Sequence, residues 1–202
     1  MSEWREAVWA AVPEGSAPER LAERREWMLG FAGAGAQVLD LGCGEGSFAA
    51  ALVEAGAQVT MADVAEGALA RACAAAPGAE AVLLAEDSPL PFPADSFDVV
   101  WCGETLEHVA DVTGLAAECR RVLRAGGVML VTVPNQPRLR VALEALAGRP
   151  LEERLDPRAD HLRFFTARTL RGLLLDAGFG EVAVAASGGL PGLRAGLRAV
   201  AR

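Results

Sequence analysis

A glycine-rich turn between an apolar run and a helix-like segment constrains the fold of this chain more than any other feature. Residues 38–48 read VLDLGCGEGSF, with glycine at positions 42, 44 and 46. The apolar run predicts a buried strand, and glycine permits turns and close approaches that other residues exclude. We therefore expect a strand, a loop that faces a ligand and a helix start, whose exposed N–H groups favour polar or anionic ligand groups.

Strand-like and helix-like runs alternate along the rest of the chain. Strands are predicted at residues 37–41, 58–63, 80–85, 97–102, 128–133 and 181–186, with 197–201 as a short seventh strand or a helical tail. Helices are predicted at 47–55, at 65–75, from Asp111 to a stop at Gly126-Gly127, and from Thr166 to Gly178. This alternation predicts a Rossmann-like, doubly wound α/β fold: a mostly parallel seven-stranded sheet with helices on both faces. Ligands then bind at the carboxyl ends of the strands.

The length of 202 residues suits a single domain. We expect a helical cap at 1–36, a cofactor-binding core at 37–134, an insertion at 135–165 and a last helix with strands at 166–202. Long excursions from compact domains are often lids. The insertion is therefore predicted to cover the site of a second substrate.

Composition and charge exclude several classes of protein. The net charge of −8 argues against a nucleic-acid partner, and the absence of lysine excludes a Schiff-base or Walker-type lysine. The four cysteines form no CxxC pair, which argues against a zinc site or a disulfide framework. No run resembles a signal peptide or a transmembrane span, so we expect a cytoplasmic monomer or homodimer with no membrane partner.

Two nucleotide-like ligands suit the glycine turn, a nicotinamide dinucleotide and S-adenosylmethionine. Both need a carboxylate for the ribose hydroxyls, and Asp63 ends the second predicted strand. The GxGxG spacing differs from the dinucleotide pattern GxGxxG, and Asp40 would repel a pyrophosphate but not an ammonium or sulfonium group. The acidic segment 86–88 follows the third strand, where a carboxylate could bind the adenine amino group. These details favour S-adenosylmethionine.

Five segments in order make the chain resemble the class I S-adenosylmethionine-dependent methyltransferases that act on small molecules. The resemblance covers roughly residues 36–186, most of the sequence, and the segments read VLDLGCGEG, MADVAEGAL, AEDSPLPFPADSFDVVWC, ECRRVLRAGGVMLVTVPN and HLRFFTARTLRGLLLDAGF. One such motif is weakly specific, whereas five in the same order are strongly specific. The last strand looks shorter than is usual in the family.

The resemblance implies a cofactor, S-adenosyl-L-methionine, with S-adenosyl-L-homocysteine as product, and assigns residues to it. It places Asp40, Gly42, Cys43, Gly44 and Gly46 at the methionine end, Asp63 with Val64 at the ribose, Glu86, Asp87 and Ser88 at the adenine, and Cys102, Gly103 and Glu104 near the sulfonium. It also makes Arg20, Arg24 and Trp27 of the first helices candidates for closing the site, with packing or solvation as the simpler role of each.

The chain has two histidines, and both are candidates for accepting a proton from the methyl acceptor. His108 follows the fourth strand and could instead shape the pocket as a helix-start residue. His161 lies in the insertion and could instead be a packing or surface residue. Phe164 and Phe165 are candidates for an acceptor pocket, whereas Trp101 is expected to pack within a strand.

Three further functions remain open alongside methyl transfer to a small molecule. Glu104, Glu107 and His108 form an ExxEH pattern that could hold Mg²⁺ or Mn²⁺, with His161 as a fourth ligand, although no bound metal is the main expectation. That pattern would suit a metal-assisted methyltransferase acting on catechols or nucleic-acid ends. The chain could also be a nicotinamide-dependent oxidoreductase, or a non-catalytic protein that binds S-adenosylmethionine.

Overall fold

Seven strands form a single sheet in the computed structural model, which describes residues 2–13, 15–86, 88–148, 156, 160–190 and 193–202. The strands are β1 (Gln37–Leu41), β2 (Gln58–Asp63), β3 (Glu80–Leu83), β4 (Phe97–Gly103), β5 (Leu123–Pro134), β6 (Val182–Ser187) and β7 (Gly196–Ala201). Their order is β3-β2-β1-β4-β5-β7-β6. Strands β1 to β5 pair in parallel, and β7 runs antiparallel to both of its neighbours. The Rossmann-like fold is thus confirmed, and residues 197–201 belong to a strand.

Helices cover both faces of the sheet. They are α1 (Ser2–Ala11), α2 (Leu21–Leu29), α3 (Ser47–Glu54), α4 (Glu66–Ala75), α5 (Val112–Val122), α6 (Arg138–Ala147) and α7 (Ala167–Asp176), with a 3-10 turn at Leu106–His108. In the described ranges, no helix combines the length and the apolar character needed to cross a bilayer.

Alternation along the central strands divides the core between the two faces. On β4, Val99 and Trp101 pack with side chains of α2, α3 and α4, whereas Val100 and Cys102 pack with side chains of α5 and α7. Successive residues of a strand point to opposite faces, and both faces are buried. The central strands are therefore almost wholly apolar, as the sequence predicts, and Trp101 is a core residue that is 1% exposed.

The predicted boundary between α5 and β5 is wrong. The helix ends at Val122, and Leu123 is already extended and pairs with Phe97 of β4. Gly126 and Gly127 do not stop the helix; the register of the strand pair shifts beside them, between Phe97 and Val99, and Gly126 has a φ of 81°. Paired glycines suit a bulge as well as a helix end, and here the pairing with β4 decides between them.

The predicted insertion at 135–165 contains one described helix, α6, which has no buried residue. Its leucines Leu139, Leu143 and Leu146 are 53%, 53% and 86% exposed. The end of the segment returns to the sheet, where Asn135 and Phe165 form a parallel bridge. Thr166 then begins α7 with a reciprocal cap to Thr169. The segment is thus attached firmly at its ends, while α6 packs little.

Candidate functional site

A cavity of about 760 Å³ opens at the carboxyl ends of β1, β2 and β4. Its volume lies within the usual range for small-molecule sites. Its walls come from the glycine turn, the ends of the strands, the start of α5, helix α1 and the end of the insertion: Trp9, Val12, Gly42, Asp63, Val64, Leu84, Glu86, Ser88, Leu90, Glu104, Thr105, His108, Asp111, Leu115, Glu118, Asp160 and Leu162 among them. The cavity lies where a parallel sheet is expected to bind ligands.

The three glycines of the turn are required by backbone conformation and by crowding. Gly42, Gly44 and Gly46 have φ values of 71°, 52° and 79°. A Cβ atom would lie 2.5 Å from Thr105 Oγ1 at Gly42, 2.6 Å from the Trp9 ring at Gly44 and 2.8 Å from the Ala72 backbone at Gly46. These positions exclude side chains for reasons internal to the fold as well as for any ligand.

Four N–H groups of this turn donate to acceptors inside the protein. Those of Gly42 and Cys43 donate to the Ala62 carbonyl oxygen, and that of Gly46 donates to the Cys43 carbonyl oxygen. The Gly44 N–H donates to Asp63 Oδ2 at 3.0 Å. The turn therefore offers a bare backbone surface for a ligand to lie on, and much of its donor capacity is used inside the protein.

Asp63 ends β2 and joins the strand to the glycine turn. Its side chain is buried, with one oxygen 3.0 Å from the Gly44 nitrogen and the other 3.0 Å from the Ala65 nitrogen. Because Asp63 also lines the cavity, its carboxylate both fixes the turn and faces a ligand. A carboxylate has about four acceptor positions and can accept from ligand hydroxyls as well as from backbone N–H groups.

Asp40 and Arg24 are buried charged residues beside the cavity. Asp40 Oδ2 and Arg24 Nε are buried and have no hydrogen-bond partner among the described residues. Burial, followed by the charge of Asp63, raises the pKa of Asp40 to about 7. Arg24 lies 4.9 Å from the centroid of the Phe48 ring and 3.9 Å from Glu104 Oε1, and its burial lowers its pKa. Both groups would gain from a polar or charged ligand at this end.

The third strand ends beside the cavity with a partly polar wall. Glu86 and Ser88 both line the cavity, and the Ser88 hydroxyl donates to the Glu86 carbonyl oxygen at 3.3 Å. Leu84 and Leu90 provide apolar surface on the same side. Asp87, which the resemblance assigns to adenine, lies outside the described residues. This side can take a flat, mostly apolar ring with a polar edge.

An acidic and imidazole cluster follows β4. Glu104 has a left-handed φ of 55°, an uncommon conformation that places its side chain toward Arg24. Glu107 is 1% exposed, and neither of its carboxylate oxygens has a described hydrogen-bond partner. Burial and then the charge of Glu104 raise the pKa of Glu107 to about 9.

The end of the insertion holds His108 in place. His108 Nδ1 lies 2.9 Å from the Asp160 carbonyl oxygen and 3.7 Å from Asp160 Oδ2. A carbonyl only accepts, so Nδ1 is the donor and Nε2 is the basic nitrogen of the neutral ring. The N–H groups of Leu162 and Arg163 donate to the Glu107 carbonyl oxygen, and the His161 ring packs edge-on, 4.8 Å from that of His108.

The described residues that are predicted to bind the cofactor or to take part in catalysis fall into two groups in the structure. The first group lines the cavity and comprises Gly42, Asp63, Val64, Glu86, Ser88, Glu104 and His108. The second lies behind or beside it and comprises Asp40, Cys43, Gly44, Gly46, Cys102, Gly103 and His161. Cys43 and Cys102 are buried thiols, and burial raises the pKa of each. Neither thiol is therefore poised as a nucleophile.

Some residues have different roles from those that the sequence suggests. Phe165 is 5% exposed and packs in the core, so its assignment to an acceptor pocket is wrong; Phe164 is exposed and does not line the cavity. Arg20 binds Ser187 and Glu23, and Trp27 packs on Trp101. Sequence reasoning missed Trp9 and Asp160, which line the cavity from segments without a cofactor motif.

Comparisons with known proteins agree with this architecture. Residues 39–131 match the model of a family described as "Methyltransferase domain". A "Probable S-adenosylmethionine-dependent methyltransferase" of Mycobacterium tuberculosis is 35% identical over 147 residues, which cover 73% of this chain and 50% of that protein. A "Ubiquinone biosynthesis O-methyltransferase" of Bordetella avium is 35% identical over 147 residues, covering 68% of this chain and 59% of that protein. The matched part of the chain thus spans 50% and 59% of the length of these two relatives.

Solved structures share the fold. An S-adenosylmethionine-dependent methyltransferase from Mesorhizobium loti superimposes with a TM-score of 0.69 at 24% identity, covering 94% of this chain and 99% of that one. The magnesium protoporphyrin IX methyltransferase from Synechocystis, solved with bound S-adenosylhomocysteine, has a TM-score of 0.66 at 17% identity and covers 90% and 81% of the two chains.

Proposed function

Because the chain belongs to the class I S-adenosylmethionine-dependent methyltransferases, we propose that it binds S-adenosylmethionine in the cavity and transfers the methyl group to a small molecule. The observation that carries this proposal is the meeting of the bare glycine turn with the Asp63 carboxylate at the cavity wall. When bound, the cofactor supplies a methyl group on a positively charged sulfur.

The residues present fit the methionine end of this cofactor. Gly42 lines the cavity without a side chain, so a ligand can lie directly on its backbone. The orphaned Arg24 nitrogen matches a carboxylate, and the acidic Asp40 matches an ammonium group. Asp40 is then expected to ionise, since a neighbouring positive charge lowers a carboxyl pKa. We assign Cys43, Gly44 and Gly46 to the support of this turn, and Cys102, Gly103 and Glu104 to the strand end beside the sulfonium.

The other end of the cavity suits the nucleoside. We assign Asp63 to the ribose hydroxyls, with Val64 beside the sugar. The adenine ring then lies between Leu84, Leu90 and the Glu86–Ser88 edge, where polar atoms can reach its amino group. Asp87 keeps its assignment to adenine as a prediction from the sequence.

His108 is our candidate for the proton acceptor. It lines the cavity with Nδ1 held by the Asp160 carbonyl oxygen, so the opposite nitrogen, Nε2, can accept a proton from an acceptor hydroxyl or amine. The Asp160 carboxyl, 3.7 Å away, stabilises the resulting imidazolium. His161 packs against this ring and is a candidate for orienting the acceptor.

A small acceptor is favoured over a macromolecule. The described residues that line the cavity include acidic side chains and no arginine, which disfavours nucleic acid. The ubiquinone name of one relative points to phenol-type acceptors, and we propose acceptors of that class. We also propose a cytoplasmic monomer or homodimer in which residues 135–165 cover the acceptor. All four cysteines are free thiols, which supports a reducing compartment.

Calorimetric titration with S-adenosylmethionine, S-adenosylhomocysteine and NAD tests the proposal. We expect micromolar binding of the two sulfur compounds and none of NAD; no binding of either sulfur compound would overturn the proposal. Methyl transfer from labelled cofactor to a panel of phenols then separates an enzyme from a binding protein. His108→Asn should lower that transfer by about 100-fold with cofactor affinity unchanged.

A metal-assisted reaction is the second candidate, favoured by one observation. Glu107, His108 and His161 can each place a ligand atom within 4.8 Å of the others, and the Glu107 oxygens have no described partner. Of the four predicted ligands, the cluster contains Glu107, His108 and His161 and does not include Glu104. One carboxylate and two imidazoles suit Mn²⁺ better than Mg²⁺.

Titration with Mn²⁺, followed by electron paramagnetic resonance, distinguishes the two candidates. Metal assistance predicts binding that is lost in His161→Ala and kept in Arg25→Ala, a surface control. The absence of binding to the wild-type chain, with cofactor and without, would contradict metal assistance and leave His108 as a base. Metal on His108 would instead occupy the lone pair that a base needs.

A further inference from the structure

Helix α1 forms one wall of the cavity, although no cofactor motif lies in it. Trp9 and Val12 both line the cavity. The Trp9 ring rests on the bare backbone of the glycine turn, because a Cβ at Gly44 would lie 2.6 Å from the ring atom Cη2. A large apolar ring thus packs on the turn at the edge of the cavity, two residues from Gly42, which lines it.

The N-terminal part of α1 is attached to α4 through a charged cap. Helix α4 begins after Ala65, which has no side-chain group to cap the first turn. The Glu6 carboxylate of α1 takes that role and accepts from the N–H groups of Glu66 and Gly67, the latter at 3.2 Å. A carboxylate at a helix start satisfies free N–H groups and interacts favourably with the helix dipole.

The C-terminal part of α1 is attached by Arg71 of α4. The Arg71 guanidinium donates to the carbonyl oxygens of Trp9 and Val12, at 3.3 and 3.1 Å, and to Glu45 Oε1 at 2.7 Å. Glu45 belongs to the glycine turn, and its second oxygen accepts from the Gly15 N–H at 3.1 Å. We call Glu6, Glu45 and Arg71 the latch. Through the latch, the position of α1 is tied to the turn itself.

We propose that α1 is a latched cover of the cofactor cavity and that Trp9 contacts the bound cofactor. Filling of the cavity and docking of α1 then favour each other, and α1 undocks when cofactor and product exchange. This inference rests on the proposed function of the cavity, and it adds that α1 controls access to the cavity. Coupling of this kind is reciprocal: a ligand that gains affinity from the docked helix stabilises the docking by the same factor.

Four variants test the contributions of Trp9, Arg71 and Glu6 separately. Trp9→Ala removes the covering ring, and Trp9→Phe keeps an apolar ring. Arg71→Ala removes three hydrogen bonds of the latch, and Glu6→Gln removes the charge of the cap with little change in shape. Arg25→Ala is the matched control, since Arg25 forms a surface ion pair with Glu54, at 3.5 Å, on the side of α2 and α3.

The measurements are calorimetric affinity for S-adenosylhomocysteine and hydrogen exchange of residues 6–12, in the full chain with and without that compound. We expect the compound to slow exchange in α1 of the wild type. The dissociation constant should rise about 10-fold in Trp9→Ala and Arg71→Ala, and about 3-fold in Glu6→Gln and Trp9→Phe. Arg25→Ala should match the wild type. Thermal melting shows whether each variant folds. If the alanine variants do not fold, the affinities of Trp9→Phe and Glu6→Gln test the proposal.

The results distinguish this inference from the function on which it rests. Suppose that the wild type and the Trp9 and Arg71 variants bind S-adenosylhomocysteine with equal affinity, and that the compound does not change hydrogen exchange in α1. These results together would overturn the proposal that α1 covers the cavity. A wild type that binds neither sulfur compound overturns the proposed function, and the cover with it.

Discussion

The two sides of the cavity are built in different ways. On the cofactor side, backbone groups of the glycine turn bind one another and the Asp63 carboxylate, all within residues 42–65. On the acceptor side, His108 meets Asp160 from 52 residues away, and the neighbouring Glu107 carboxyl is buried without a described partner. The first side is held by local backbone geometry, and the second by side chains from distant segments.

This difference indicates how far each side of the cavity tolerates substitution. Glycines with positive φ and a carboxylate that binds backbone N–H groups leave few alternatives, so the cofactor side tolerates little change. Side-chain clusters from separate segments can be exchanged without rebuilding the sheet. Substitutions on the cofactor side should therefore affect fold and binding together, whereas those on the acceptor side should affect chemistry and pH dependence.

The largest effect is expected at the end of the glycine turn. Gly46→Ala forces a side chain into a left-handed residue and against the Ala72 backbone, 2.8 Å away, and should lower the free energy of unfolding by about 3 kcal/mol. Gly35→Ala is the control, because Gly35 has the same left-handed backbone with nothing within 4 Å, and should cost only about 1 kcal/mol. Urea denaturation measures both, and equal losses would show that crowding in the turn is unimportant.

A smaller loss of stability, together with a large loss of binding, is expected at Asp63. Asp63→Ala removes a ligand-facing carboxylate and should raise the dissociation constant for S-adenosylmethionine about 100-fold, with the fold retained. Asp98→Ala is the matched control, since Asp98 also accepts from a backbone N–H, that of Gln37 at 2.8 Å, far from the cavity. Calorimetry should find normal affinity in Asp98→Ala. Unchanged affinity in Asp63→Ala would overturn the ribose assignment.

The last effect is expected on the acceptor side and depends on pH. The pKa of Glu107 is raised to about 9 in the folded chain, so the folded state binds a proton that the unfolded state releases above its ordinary pKa of 4.5. Stability contributed by this group is complete at low pH and falls as the pH rises toward 9. Glu107→Gln removes that loss and should raise Tm, relative to wild type, more at pH 8.5 than at pH 5.

Glu118→Gln serves as the control for this pH dependence. Hydrogen bonding to Arg121 lowers the pKa of Glu118, so its contribution is present above its ordinary pKa of 4.5 and is lost only at lower pH. The difference in Tm between this variant and the wild type should be constant between pH 5 and 8.5. A constant difference for Glu107→Gln as well would show that the Glu107 carboxyl is ionised in the folded chain.

Much of the fold could be predicted because its signals are local. The strand at 37–41, the caps at Asp111 and Thr166 and the ends of β2 fall where the sequence predicts them. The glycine pair at 126–127 was misread because a bulge and a helix stop use the same residues, and only pairing with β4 selects the bulge. The prediction for Phe165 is wrong because an aromatic residue at the end of an insertion suits a pocket or a core equally well.

The sequence by itself determined the cofactor side of the cavity. It showed which residues form strands, which form the glycine turn, and that Asp63 stands at the end of β2. These follow from hydrophobic period and from backbone conformations that glycine alone adopts easily. Only the tertiary structure decided that Trp9 covers the turn, that Arg71 ties α1 to Glu45, that Asp160 holds His108, and that Glu107 is buried. Contacts between distant segments depend on how layers pack, and no local pattern in the chain records that packing.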